Sequence, residues 1–317
     1  ARTESGVYTP ADGAAIAVFD LARLLYARGS YESARIYNGL VRLLDPVSPF
    51  ARMMEGDIAL LTGQPLKAVA SYDAVNSASP IFWLARLRSA EAYEAAGDAK
   101  KTVEVLSQLA KNDHLRPTAL AFLGDVYRRQ NKLSDAVESY NAALEGGAQG
   151  GARWQVVYAR AIARSDLNDW AGAEKDAMAA LAMQPENPMI LNFIAYGWAD
   201  RGVNLDKALE YAERAVGMKP DDGYVVDSYG WVLFRLGRYE ESIRHLEKAV
   251  ELSPGDSAIL DHLGDAYWQA GRQNEARSRW RQADDLSRDT SFKTLVRQKV
   301  RDGISPPALA SGKEARL

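Results

Sequence analysis

The stretch GRYEESIRHLEKAVELSP, residues 237–254, reads as a glycine turn, one amphipathic helix and a proline stop. The same spacing recurs along the chain. GSYESARIYNGLVRLLDP (29–46), GQPLKAVASYDAVNSASP (63–80), NKLSDAVESYNAALEGGA (131–148), NDWAGAEKDAMAALAMQP (168–185) and GRQNEARSRWRQADDLSR (271–288) keep its register. GVNLDKALEYAERAVGMKP (202–220) fits after one extra residue, and GDAKKTVEVLSQLAKNDH (97–114) is the weakest copy. The turns fall at 29, 63, 97, 131, 168, 202, 237 and 271, in steps of 34, 34, 34, 37, 34, 35 and 34 residues. A further helix precedes each turn, and a period this regular predicts a helical solenoid.

Two helices approach closely only where side chains are small, and a bulky neighbour then fills the space beside the crossing. Gly56, Gly124, Gly230 and Gly264 stand at the small site of the first helix of their units. Ala34, Ala68, Ala136, Ala173, Ala208 and Ala276 stand at the small site of the second, and Tyr72, Tyr140, Leu246 and Trp280 fill the bulky site. Pro46, Pro80, Pro185, Pro220 and Pro254 close repeats, since proline disfavours helix for the residue before it and starts the next helix well. His114, Ala148 and Arg288 replace the proline in three copies.

This pattern resembles the tetratricopeptide repeat family over nearly the whole chain. The resemblance implies an all-α, right-handed superhelical solenoid of about eight helical hairpins over 15–290, behind an N-terminal segment of residues 1–14. EGGAQGGAR, residues 145–153, reads as a kink within it. SFKTLVRQKVRDG, residues 291–303, reads as a capping helix, because a solenoid end needs a polar outer face. Residues 304–317 read as a tail.

Composition limits function. Of 317 residues, 47% are hydrophobic and 26% charged, and the net charge is −3. A nucleic-acid binder would carry a basic footprint, so none is expected here. The chain has no cysteine, which removes disulfides, zinc–thiolate sites and thiol nucleophiles. No apolar run is long enough to span a bilayer. The motifs GxxxxGK[ST], GxSxG, HExxH and GxGxxG are absent, so no catalytic residue, cofactor or metal is expected. DHLGD, residues 261–265, sets two acids one turn apart beside His262, and it reads as a solvated acidic helix face before it reads as a metal site.

In such an architecture the first helix of each unit lines the concave surface, and this gives a partner-binding groove. Its candidate residues are Asn192, Tyr196, Tyr224, Asp227, Trp231, Phe234, Asp261, Asp265 and Trp268. Aromatic anchors beside like-signed acids suit a protein or peptide partner that is basic or offers N–H donors. The alternative for the acids that follow a small residue, Asp57, Asp125 and Asp265, is a hydrogen bond to a neighbouring helix. Family members that grip a peptide carboxylate use Lys, Arg and Asn in adjacent units. Asp20, Arg23, Met54, Leu84 and Arg88 stand at those places, so that clamp is not expected.

The run DSYGWVLFRLGRYEESIRHLEKAVELSPGDSAILDHLGDAYWQAGRQNEARSRWRQA also resembles the C-terminal part of exported bacterial repeat proteins. Some of those are envelope lipoproteins that bring substrates to a carboxyl-terminal processing protease. The resemblance therefore implies a periplasmic or outer-membrane-associated adaptor in a Gram-negative bacterium, with any signal region or lipid-bearing cysteine upstream of residue 1. Two alternatives stand beside it: a self-assembling structural scaffold that forms homo-oligomers, and the repeat module of a larger enzyme.

Overall fold

The computed structural model describes residues 9–147 and 153–305. Those residues form seventeen helices and no strand. They divide into two compact units, Ala1–Asp169 and Trp170–Leu317. The division falls inside the fifth predicted repeat rather than in the stretch 145–153, of which residues 148–152 lie outside the described residues.

The first unit stacks four helical hairpins: α1 (Pro10–Ala27) with α2 (Tyr31–Leu44), α3 (Pro49–Leu61) with α4 (Pro65–Asp73), α5 (Phe82–Ala95) with α6 (Ala99–Leu109), and α7 (Arg116–Arg129) with α8 (Leu133–Glu145). Helix α9 (Arg153–Asp166) packs on α8 and α7. Each second helix also packs on the next first helix, so every hairpin buries the apolar face its predecessor leaves open. Helix α1 begins earlier than the sequence suggests. Thr9 caps it, with Thr9 N donating to Asp12 Oδ2 at 2.7 Å and Asp12 N to Thr9 Oγ1 at 3.2 Å, and Pro10 supplies the first turn.

The second unit holds α10 (Trp170–Met183), then the hairpins α11 (Pro188–Arg201) with α12 (Leu205–Met218), α13 (Gly223–Arg235) with α14 (Tyr239–Leu252) and α15 (Ser257–Gln269) with α16 (Gln273–Leu286), and last α17 (Thr290–Asp302). First helices α11, α13 and α15 also pack on one another in order.

All eight predicted turn positions, Gly29, Gly63, Gly97, Asn131, Asn168, Gly202, Gly237 and Gly271, have left-handed φ, from 57° at Asn131 to 80° at Gly271. A residue in this conformation closes the helix by letting the next N–H reach back. Gln64 N donates to Ala59 O at 2.7 Å, and Arg238 N to Leu233 O at 2.9 Å. Glycine or asparagine is required there because a larger L residue is strained at positive φ.

The small and bulky sites meet as pairs sixteen residues apart. Gly56 faces Tyr72, Gly124 faces Tyr140, Gly230 faces Leu246 and Gly264 faces Trp280. A Cβ on Gly124 would lie 2.5 Å from Tyr140 Cε1. All four bulky side chains are fully buried.

Helix α17 is more than a cap. Asn187, Asp222, Asp256 and Asp289 each cap a first helix of the second unit by accepting from the backbone N–H groups two and three residues on. Lys299 falls thirty-four residues after Asp265, as a residue of the next first helix would, and Gly303 follows the helix at φ 74° with an extended ψ of −167°. Helix α17 is thus the first helix of a ninth repeat, packed on α16, with no second helix among the described residues after it.

Candidate functional site

Each unit carries its own groove along its first helices. In the first unit a cavity of about 790 Å³ is lined by Leu87 and Glu91 of α5, Pro117, Ala121, Phe122 and Asp125 of α7, and Gln155, Val156 and Ala159 of α9, with His114 at its edge. Leu87, Glu91, Ala121 and Asp125 are positions that the solenoid register assigns to the concave side. The floor is apolar and the polar groups are few. That arrangement suits an apolar anchor held by a small number of oriented bonds.

The acids in this groove are already oriented. Tyr140 Oη donates to Asp125 Oδ1 at 2.7 Å, and one repeat earlier Tyr72 Oη donates to Asp57 Oδ1 at 2.6 Å. Burial, and then the adjoining carboxylate, raises the pKa of both phenols, so they stay protonated donors. Trp280 Nε1 donates to Asp265 Oδ1 at 3.0 Å in the same relation. The acid after the small residue therefore bonds the bulky residue of its own hairpin. The carboxylates of Asp57 and Asp125 keep further acceptor capacity.

In the second unit, three consecutive first helices bring an aromatic strip together. The Trp231 ring stacks on His262 at 4.2 Å and on Phe234 at 4.8 Å, and Tyr196 lies 6.2 Å from His262. His262 Nδ1 bonds the Asp227 carboxylate at 2.9 Å. Lys299 reaches from α17 into the same region. Its Nζ lies 2.8 Å from Asp261 Oδ2 and 2.8 Å from Asp265 Oδ1; both acids are buried, and the Lys299 side chain is 12% exposed.

Most of the nine candidate residues are thus engaged within the chain. Asp227, Trp231, Phe234, Asp261 and Asp265 are buried. Trp268 lies between Trp280 and Gly303, and Asn192 keeps a buried side-chain oxygen without a partner. Tyr196 and Tyr224 remain exposed, Tyr224 at 61%. The expected solvated acidic face at 261–265 is corrected. The acids point into the repeat stack, and a lysine ammonium stands where a cation would. Among the described residues no group of three or more His, Asp or Glu is placed to hold a metal.

The electrostatics follow from the burial. For His262, burial opposes the charged ring, but the Asp227 carboxylate outweighs it, with Asp261 and Asp265 adding, so its pKa is raised. Burial raises the Asp265 carboxyl to about 6 even beside Lys299. Lys299 is raised because its two carboxylates outweigh its burial. His262, Lys299, Arg235 and Gln269 were not among the candidate residues. Lys299 had one legible signal, its place one period after Asp265. The others are fixed by how neighbouring repeats stack.

Family models described as tetratricopeptide repeat match residues 87–151, 158–223 and 227–288, more than half of the chain. The chain belongs to the tetratricopeptide repeat family. A TPR repeat-containing protein of Pseudomonas aeruginosa is 32% identical over 105 residues, which is 33% of this chain and 18% of that protein. The chain therefore matches less than a fifth of that relative's length. Among solved structures, a tetratricopeptide repeat protein from Parabacteroides merdae is similar with a TM-score of 0.60 at 14% identity, covering 80% of this chain and 97% of that one. The APC/C hetero-tetramer Cut9–Hcn1 is similar with a TM-score of 0.61 at 13% identity, covering 91% of this chain and 55% of that one. These two likenesses concern the fold. Tetratricopeptide repeats are in general protein-interaction scaffolds without catalysis, and no helix among the described residues is long and apolar enough to cross a membrane.

Proposed function

We propose that the groove of the first unit binds a segment of a partner protein, with an apolar side chain against Leu87, Ala121, Phe122 and Val156 and an N–H or basic donor towards Asp125 and Glu91. The observation that carries this reading is the open cavity of about 790 Å³ lined by three successive first helices. The finer role is that of an envelope adaptor in a Gram-negative bacterium, delivering substrates to a carboxyl-terminal processing protease. That role rests on the resemblance of residues 227–283 to exported repeat proteins. The 32% identity to a TPR repeat-containing protein of Pseudomonas aeruginosa supports the bacterial part of that reading and does not bear on the protease.

The test is affinity capture from envelope and soluble fractions with the native chain beside an Ala121→Arg variant of equal helicity. Ala121 is half-buried on the groove wall, so arginine there fills the groove without entering the core. A partner held by the native chain and lost by the variant supports the groove reading, and a processing protease in that eluate supports the adaptor. Equal recovery on both baits removes the site from this groove.

A second reading, self-assembly, is favoured by one observation. Helix α2 exposes Ile36, Leu40 and Leu43 along one stripe, and α1 exposes Leu21 and Leu24. Light scattering at increasing concentration tests it, and a constant monomer mass with native α1 and α2 rejects it.

A further inference from the structure

The groove of the second unit already holds polypeptide. After α17 the chain turns at Gly303 and runs against the first helices. Gly303 sits so close to the Trp268 indole that a Cβ there would collide with it. Gln269 Nε2 donates to the Ser305 carbonyl at 3.1 Å and lies 3.5 Å from that of Ile304. Ile304 and Ser305 form one wall of a cavity of about 270 Å³, and Trp231, Phe234, Arg235 and Asp265 form the others. Two buried donors on that side have no acceptor, Trp231 Nε1 and Arg235 Nε. Buried N–H groups without acceptors are uncommon and unfavourable in folded proteins. Gly303–Ser305 leaves both unpaired, and a main-chain carbonyl placed beside them is an acceptor that would satisfy them.

We propose that the groove across α13 and α15 is a site for an extended peptide with a glycine followed by an aliphatic residue, and that Gly303–Ser305 occupies it in cis and holds it closed to such a segment of a partner. Recognition has three parts. Trp268 admits only glycine at the first position, for want of room. Trp231 and Phe234 offer apolar surface to the aliphatic side chain that follows. Gln269, and then the free donors of Trp231 and Arg235, read main-chain carbonyls, which gives affinity without further sequence preference. The cis segment is tethered beside its site, so its effective concentration is high and a free peptide has to displace it. The site lies in the other unit from the groove proposed above, and either can fail without the other.

The experiment uses the full-length chain and a fluorescent acetyl-Arg-Asp-Gly-Ile-Ser amide, the sequence of residues 301–305. The chains compared are native, Gly303→Val and Ile304→Gly. The first variant drives the segment off Trp268, and the second removes its apolar contact. Both leave every groove residue intact. A cis segment bound about nine-tenths of the time weakens the apparent affinity of the probe about tenfold. The expected result is therefore probe binding about tenfold tighter to each variant than to the native chain, and none for the Gly303→Val form of the probe. Equal affinity for native and variant chains overturns the proposal. So does equal binding of the two probes, or no binding to the Ile304→Gly chain. Circular dichroism checks the fold, and Ile304→Gly decides the matter if Gly303→Val loses helicity.

Discussion

Replacing Lys299 by methionine keeps most of the apolar stem and removes the one ammonium between Asp261 and Asp265. The side chains of all three residues are 12% exposed or less, so solvent does little to screen the loss. Breaking a buried ion pair by removing one partner costs about 3–5 kcal/mol, because an uncompensated charge stays behind. In a unit of this size each kcal/mol moves the melting temperature by about 2–4 °C, which gives a fall of about 6–20 °C. Urea unfolding followed by tryptophan fluorescence reports on the right part of the chain, since five of the seven tryptophans, Trp170, Trp198, Trp231, Trp268 and Trp280, lie in the second unit. The deficit should depend on pH. Asp265 is near 6 even with the lysine, above its unfolded value of about 4, and loss of the ammonium removes what opposes that rise. Stability contributed by a raised carboxyl is full below its unfolded pKa and lost as pH rises through the folded one. The variant should therefore lie closer to the native chain at pH 5 than at pH 8. Adding Asp261→Asn and Asp265→Asn should restore most of the loss, since an asparagine at 265 still accepts from Trp280 Nε1. A deficit under about 1 kcal/mol at pH 8, the level of a solvated surface pair, would refute the reasoning. An equal deficit at pH 5 would do the same.

Three further outcomes follow from the geometry. Gly264→Ala places a methyl 2.5 Å from Trp280 Cδ1 and should destabilise the second unit by about 1–3 kcal/mol in the same urea assay, whereas a neutral result would mean the hairpin is loosely packed. Two alanine substitutions in the first unit should have opposite signs by calorimetry. Gly63→Ala, at φ 72°, should cost about 1–2 kcal/mol, and Gly39→Ala, exposed inside α2 with nothing within 4 Å, should stabilise by about 0.5–1 kcal/mol. His262 should titrate above its ordinary 6.5 by NMR, and Asp227→Asn should lower it. Because the folded value is raised, the stability from this pair is full below about 6.5 and lost as pH rises through the folded pKa, and a His262 that titrates below 6.5 would contradict the pairing.

Much of the fold was legible because a repeat states its rules several times. One glycine in a helix says little, but Gly56, Gly124, Gly230 and Gly264, each sixteen residues before Tyr72, Tyr140, Leu246 or Trp280, state a close crossing with a filler beside it. The turn positions were legible for the same reason, since glycine or asparagine recurs where positive φ is required. The candidate site was harder. Periodicity assigned Leu87, Glu91, Ala121 and Asp125 to the concave side, and they line a cavity there. The same rule placed Asp227, Asp261 and Asp265 in an open acidic groove, and it missed that His262 and Lys299 neutralise them. Helical phase fixes a direction for each side chain, but it does not say what arrives from that direction.

What the sequence determined alone was therefore local and periodic: helices, their turns, the hairpin crossings and the family. These depend on backbone conformation and on contacts some sixteen residues apart, which recur in every copy. What only the tertiary structure decided was how the C-terminal groove is filled. That depends on contacts about thirty-five residues apart, Asp227 with His262, Asp265 with Lys299 and Gln269 with Ser305, which exist only once the repeats are stacked. Burial then turns the same acidic side chains from a solvated face into an ion cluster, because a charge taken from water must find a partner.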